Sequence, residues 1–248
     1  MKTMTENRLQ AQTEIYAENY EKYGYSPLSM IMPSDRRAIR YYELLKNFDF
    51  FQKADYTGHF ILCDAGCGFG DINGYLRRLG FQSYSYIGLD VVDAFMEDGR
   101  QRYGNENVRY LKRNFINEDL SNLQFDYAVS SQTFTIPYSD TNENYEVIFE
   151  AVERLFRQCR KGVSFNFFTD QGDYQRPDAA YHNPSRLLEF AYSLSNRVVL
   201  DNACFPYECT LTILKDTERK KNGMVFDSFM DVHEKEFQEG IFVAREKT

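Results

Sequence analysis

Phe60-Ile-Leu-Cys-Asp-Ala-Gly-Cys-Gly-Phe-Gly-Asp71 is the stretch from which the fold is read. An apolar run ends in Asp64, and a turn holding Gly66, Gly68 and Gly70 follows at once. Ile72, Leu76 and Leu79 then recur at helical spacing, so the turn joins a buried strand to a helix. Glycine suits a sharp reversal and lets a ligand approach main-chain atoms closely. Amides at the start of the following helix offer donors to an acidic ligand group. In its physical logic this is a nucleotide-cofactor loop.

Outward from that turn, strands and helices alternate as a parallel, doubly wound sheet requires. Tyr84 to Val92 reads as a second strand and Ala94 to Tyr103 as its helix. Val108 to Leu111 is a third strand and Phe125 to Ser130 a fourth. Tyr145, Ile148, Phe149, Val152 and Phe156 mark an amphipathic helix, and Gly162 to Thr169 a fifth strand. Asn183-Pro184 makes a helix start, and Arg197 to Asp201 and Glu208 to Leu214 supply two last strands. Residues 1–57 read as a mainly helical extension, with Ser34 as a cap before Arg36 to Leu45. Residues 58–216 form the core, and the polar-then-mixed tail 217–248 has no role legible in sequence.

The dinucleotide fingerprint G-x-G-x-x-G puts its third glycine where close helix–strand packing needs it. Counted from Gly66, that slot is Asp71. Asp64-Ala-Gly-Cys-Gly-Phe-Gly70 instead resembles motif I of the class I S-adenosylmethionine-dependent methyltransferases, an acid and one residue before G-x-G-x-G. The resemblance spans roughly residues 58–216 and implies a Rossmann-like, seven-stranded α/β sheet with its last strand antiparallel. It also implies that the N-terminal helical extension covers the cofactor and shapes the acceptor pocket.

Asp90 ends the second strand, where a carboxylate accepts hydrogen bonds from both ribose hydroxyls or simply caps the next helix. The resemblance implies the ribose role, with Val91 beside it. It also implies that Asp64 orients the loop and the methionine end of the cofactor, and that Ala65, Gly66, Cys67, Gly68 and Gly70 run along the methionine chain and ribose. Asn114-Phe115 falls where the family carries Asp-Phe or a similar pair that takes adenine. Ser130 and Ser131 would lie near the cofactor's amino end and Gln132 near the methyl group. The Asn/Asp-Pro-Pro-aromatic motif of base-amino methyltransferases is absent here, which counts against exocyclic base methylation. On the acceptor side, the loop after the fifth strand brings Asp170, Tyr181 and His182, with His182 a candidate general base or a surface residue beside a helix cap. His59 lies before the first strand and His233 in the charged tail.

Bulk properties narrow the acceptor. With 248 residues and a formal charge of −8, the chain supports one sizeable core and disfavours a broad phosphate-binding surface. Its 19 Tyr and 21 Phe, without Trp, fill a core and supply rings for a pocket. Five cysteines without paired C-x-x-C spacing indicate reduced packing residues and no zinc site. The polar start lacks a signal-peptide run, and no stretch approaches the ~20 apolar residues of a membrane span. The expectation is a cytoplasmic methyltransferase acting on a small organic molecule, its oligomeric state unreadable. Methylation of a protein or tRNA, nicotinamide-dependent oxidoreduction and a non-catalytic cofactor-binding role are the alternatives.

Overall fold

β1 (Phe60–Ala65) shows why the chain takes two layers of helix around one sheet. Alternate residues of a strand face opposite sides, and both sides of β1 are apolar. Phe60 and Leu62 pack with Leu44, Leu45, Phe48 and Phe50 of the N-terminal segment, while Cys63 and Ala65 pack with Ile148, Val152 and Leu155. A strand buried on both faces belongs at the centre of a parallel sheet.

The computed structural model describes residues 4–32, 36–53, 57–138, 141–218, 225–227, 229 and 233. Before β1 come α1 (Met4–Tyr23), a 3₁₀ turn at Pro27–Met30, α2 (Arg37–Leu45) and α3 (Asp49–Gln52). After it come α4 (Ile72–Arg78), β2 (Tyr84–Asp90), α5 (Asp93–Tyr103), β3 (Val108–Lys112) and β4 (Phe125–Ser130). The chain continues through α6 (Thr141–Gln158), β5 (Cys159–Thr169), β6 (Tyr181–His182), α7 (Pro184–Leu194), β7 (Arg197–Phe205) and β8 (Glu208–Leu214). The Ser34 cap lies outside the described residues. Asn183 caps α7 as expected, its side-chain oxygen accepting from the amides of Ser185 and Arg186 with Pro184 in the first turn.

The strand order is β3-β2-β1-β4-β5-β8-β7, and β8 runs antiparallel to both of its neighbours. The sheet holds eight strands where seven were expected. The addition is β6, a two-residue pairing of Tyr181 and His182 against Phe168 and Thr169. β5 outruns β4 there, leaving its edge open to the returning loop. Order reverses between β1 and β4, and the crevice outside the carboxyl ends of strands at such a switch point is where ligands bind.

Candidate cofactor and acceptor site

Leu89 and Asp90, at the end of β2, fasten the glycine turn. The amides of Gly66 and Cys67 both donate to the Leu89 carbonyl, at 2.8 and 3.0 Å. Asp90 Oδ2 accepts the Gly68 amide at 2.7 Å, and Oδ1 accepts those of Val91 and Val92 at 2.8 and 2.9 Å. Gly66 (φ +76°) and Gly70 (φ +73°) adopt the left-handed region, and a Cβ at either would strike the Thr133 or the Tyr110 hydroxyl. The turn therefore admits no side chain at either end.

Over this turn and the ends of β1, β2 and β4 lies a cavity of about 420 Å³, within the range of small-molecule sites. Gly66, Asp90, Val91, Asn114, Phe115, Ser131 and Gln132 line it, so the structure brings seven of the expected residues together. Asp64, Ala65, Cys67, Gly68, Gly70 and Ser130 stand behind that wall. Ser130 is buried with its hydroxyl on the Ala65 carbonyl at 2.7 Å, and Gly70 backs onto Tyr110. Asn114 Oδ1 accepts the Ile116 amide at 3.0 Å, which shapes the turn after β3.

The roof is α1 and the turn after it: Leu9, Thr13, Tyr16 and Met30 face the cavity. Of the N-terminal tyrosines only Tyr16 reaches it; Tyr20 and Tyr25 pack against Phe69 outside, and Tyr23 is exposed. Burial beside Asp90 pushes the Tyr16 phenol well above its usual range. Asp71 takes up the extension. Its Oδ1 accepts the Tyr25 and Tyr103 hydroxyls at 2.5 and 2.7 Å, and its Oδ2 pairs with Arg37. The residue in the third glycine slot thus anchors the segments that cover the cavity.

On the acceptor side, Asp170, Tyr181 and His182 do not line the cavity. Tyr181 accepts the Arg176 amide at 2.8 Å, and Asp170 accepts from Asn183 at 3.2 Å; both shape the loop. His182 is 1 % exposed, wedged between the Tyr145 and Phe167 rings with Nε2 donating to the Phe134 carbonyl at 2.9 Å. The wall is formed instead by Ile136, Pro137, Tyr138, Phe168 and Arg176, residues without a motif, which is why sequence reading missed them. Placing His182 behind Phe134 follows from β6 pairing, a contact too short to leave a periodic signal.

Burial lowers the His182 pKa below 6.5, holding the ring neutral, while the unfolded chain protonates near that value. The native state therefore loses stability as pH falls through about 6.5. Urea titrations of the protein and of His182→Gln should show their stability difference shift against the histidine protein between pH 7 and 5; a difference independent of pH would remove His182 from the titration.

Asp64 is 3 % exposed and its carboxylate has the Tyr86 hydroxyl, at 3.0 Å, as its hydrogen-bond partner. Burial raises its pKa to about 7, partly offset by that hydroxyl, with Asp90 and Asp71 adding to the rise. Neither Asp64 nor Asp90 has an arginine or lysine against it among the described residues. A roofed cavity backed by two uncompensated carboxylates suits a ligand carrying positive charge and hydroxyls, and S-adenosylmethionine carries both.

Residues 62–161 match the family described as Methyltransferase domain, covering the motif turn, Asp90 and the strands around them. Over those residues the chain is similar to methyltransferase domains. A Mycobacterium tuberculosis (strain H37Rv) protein, Rv1506c, which carries a provisional methyltransferase name, is 28% identical over 163 residues, 63% of this chain and 93% of its own. Among solved structures, a DhpI–SAH complex superposes with TM-score 0.53 at 14% identity, over 84% of this chain and 95% of its own. The magnesium protoporphyrin IX methyltransferase of Synechocystis PCC 6803, with bound SAM, gives TM-score 0.54 at 13% identity, over 82% and 96%. At such identities these structures speak to the methyltransferase fold, which this chain shares.

Proposed function

We propose that this chain transfers a methyl group from S-adenosylmethionine to a small organic acceptor, and that residues 1–57 cover the reaction. The observation that carries this reading is the acid pair of buried Asp64 and half-buried, cavity-lining Asp90, without basic partners among the described residues, beside a glycine turn under a roof formed by α1. Asp90 would hold the ribose hydroxyls, Asn114 and Phe115 the adenine, and Gly66 and Ser131 the methionine end. Asp64 would oppose the ligand's positive charge from behind the turn. The cofactor supplies a methyl already activated on a sulfonium; the protein aligns the acceptor and excludes water. The roof and the apolar wall of Met30, Ile31, Ile136, Pro137 and Phe168 favour a small acceptor over a polymer, and the formal charge of −8 disfavours a broad phosphate-binding surface. Among the described residues no helix is long and apolar enough to cross a membrane.

The test is calorimetric titration with S-adenosylmethionine, S-adenosylhomocysteine and NAD. Micromolar binding of both sulfur compounds without NAD is expected; NAD binding alone would overturn the reading. The same titrations carry a sign. A cation beside Asp64 lowers its raised pKa, so binding releases a proton below about pH 7. Affinity should rise from pH 5.5 to 7 by up to roughly tenfold per unit, and the binding heat should vary with the buffer's ionisation enthalpy. Asp64→Asn should abolish both effects. In the free protein the raised pKa means stability is lost as pH climbs from about 4 to 7.

A further inference from the structure

Gln132, just beyond β4, sits at φ +63°, a region that side-chain-bearing residues rarely adopt and that clusters at functional sites. Its polar groups are committed one by one. The backbone amide donates to Asn166 Oδ1 at 2.7 Å, and the carbonyl accepts the Thr135 hydroxyl at 2.6 Å. Side-chain Nε2 donates to Glu208 Oε2 at 3.0 Å. Glu208 also takes Asn166 Nδ2 at 3.1 Å and a forked contact from Arg40, whose Nε lies 2.9 and 3.2 Å from its two oxygens. Arg40, Asn166 and Glu208 are all buried. A carboxylate gripped by a guanidinium accepts and does not donate, so the amide must turn its NH₂ to Glu208. Oε1 is what remains, on a residue of the cavity wall, and it accepts no hydrogen bond from the described residues.

We infer that Gln132 Oε1 receives an N–H of the methyl acceptor, and that the nucleophile is the neutral nitrogen of an amine on a small, largely apolar molecule. This rests on the small-molecule methyl-transfer reading above. A carboxylate or thiolate would set lone pairs against Oε1. A hydroxyl could donate to it but would need a base. Of the titratable groups on the wall, Tyr16 and Tyr138 hold their protons more tightly than usual, Asp90 is occupied by three amides, and Asp178 is bound by Arg176. An amine can leave its ammonium proton in the solvent before it binds and then attack as the neutral species, whereas an alcohol must lose its proton within the site. The amine lone pair forms the nitrogen–methyl bond, the carbon–sulfur electron pair stays with sulfur to give the neutral thioether, and the new ammonium releases its proton to water.

The experiment incubates the protein and S-adenosylmethionine bearing a CD₃ methyl with an unfractionated extract of the cells that make it, supplemented with phenethylamine, phenethyl alcohol, phenylpropionic acid and phenylethanethiol. Mass spectrometry then locates the label. CD₃ on an amine nitrogen is the expected result. CD₃ on oxygen, sulfur or carbon overturns the inference and leaves small-molecule methyl transfer standing. Label confined to macromolecules, or absent, sinks that reading and the inference with it. With the labelled amine in hand, Gln132→Met should lose at least tenfold in kcat/KM, mostly through KM, while calorimetric affinity for S-adenosylhomocysteine and the melting temperature stay near wild type. An unchanged kcat/KM would remove Gln132 from the acceptor site.

Discussion

Asp90→Ala is expected to weaken S-adenosylmethionine binding at least a hundredfold, about 3 kcal/mol, the sum of two charged hydrogen bonds to ribose. The side chain does two things at once. It accepts the amides of Gly68, Val91 and Val92, holding the glycine turn against β2, and it faces the cavity. Alanine would release three amides in a region that water reaches poorly, costing about 2 kcal/mol of stability as well. Asp90→Asn separates the two effects. One amide oxygen still accepts from the backbone, so the turn should persist and the melting temperature should fall little. Binding should still drop about tenfold, because the amide nitrogen cannot accept from a hydroxyl. Calorimetry beside thermal melts checks both. Full affinity in a folded Asp90→Ala protein would leave Asp90 as a structural cap alone.

The largest effect on stability is expected at Arg40. Its guanidinium pairs with Glu208 in the interior and lies 5.3 Å from the Phe205 ring centre. Arg40→Leu would strand the Glu208 charge with Asn166 and Gln132 as its remaining donors. Removing one partner of a buried pair costs about 3–5 kcal/mol, roughly a 10 °C fall in melting temperature for a chain of this size. Replacing both charges removes the stranded anion, so Arg40→Leu with Glu208→Leu should recover most of that loss. Turnover should not recover with it, because the anion that orients the Gln132 amide is gone. A double variant no more stable than Arg40→Leu would mean that lost packing, and not the unpaired charge, sets the cost.

Parts of this protein that rest on local chemistry were legible in the residue order. The strand–turn–helix at Phe60 to Leu79 is written in an apolar run, three glycines and a helical period, and the Asn183 cap in one dipeptide. Asp90 could be named because sheet topology forces the ends of successive parallel strands to one edge, and Asn114 because it falls where the methyltransferases that the chain resembles carry Asp-Phe or a similar pair. The acceptor side obeyed no such rule. His182 looked available in a loop, and the two-residue pairing that buries it behind Phe134 depends on β5 outrunning β4.

Gln132 shows the same division in one residue. Its place after the fourth strand followed from the sequence, but the direction of its amide did not. That direction is set by Glu208 from β8, Asn166 from β5 and Arg40 from α2, up to 168 residues apart along the chain. The sequence by itself determined the sheet, the cofactor turn and the acids beside it, because periodicity, glycine and strand ends act over a few residues. Tertiary structure alone decided which side chains face the cavity and which way they point, because burial and hydrogen-bond satisfaction are settled only when distant segments meet.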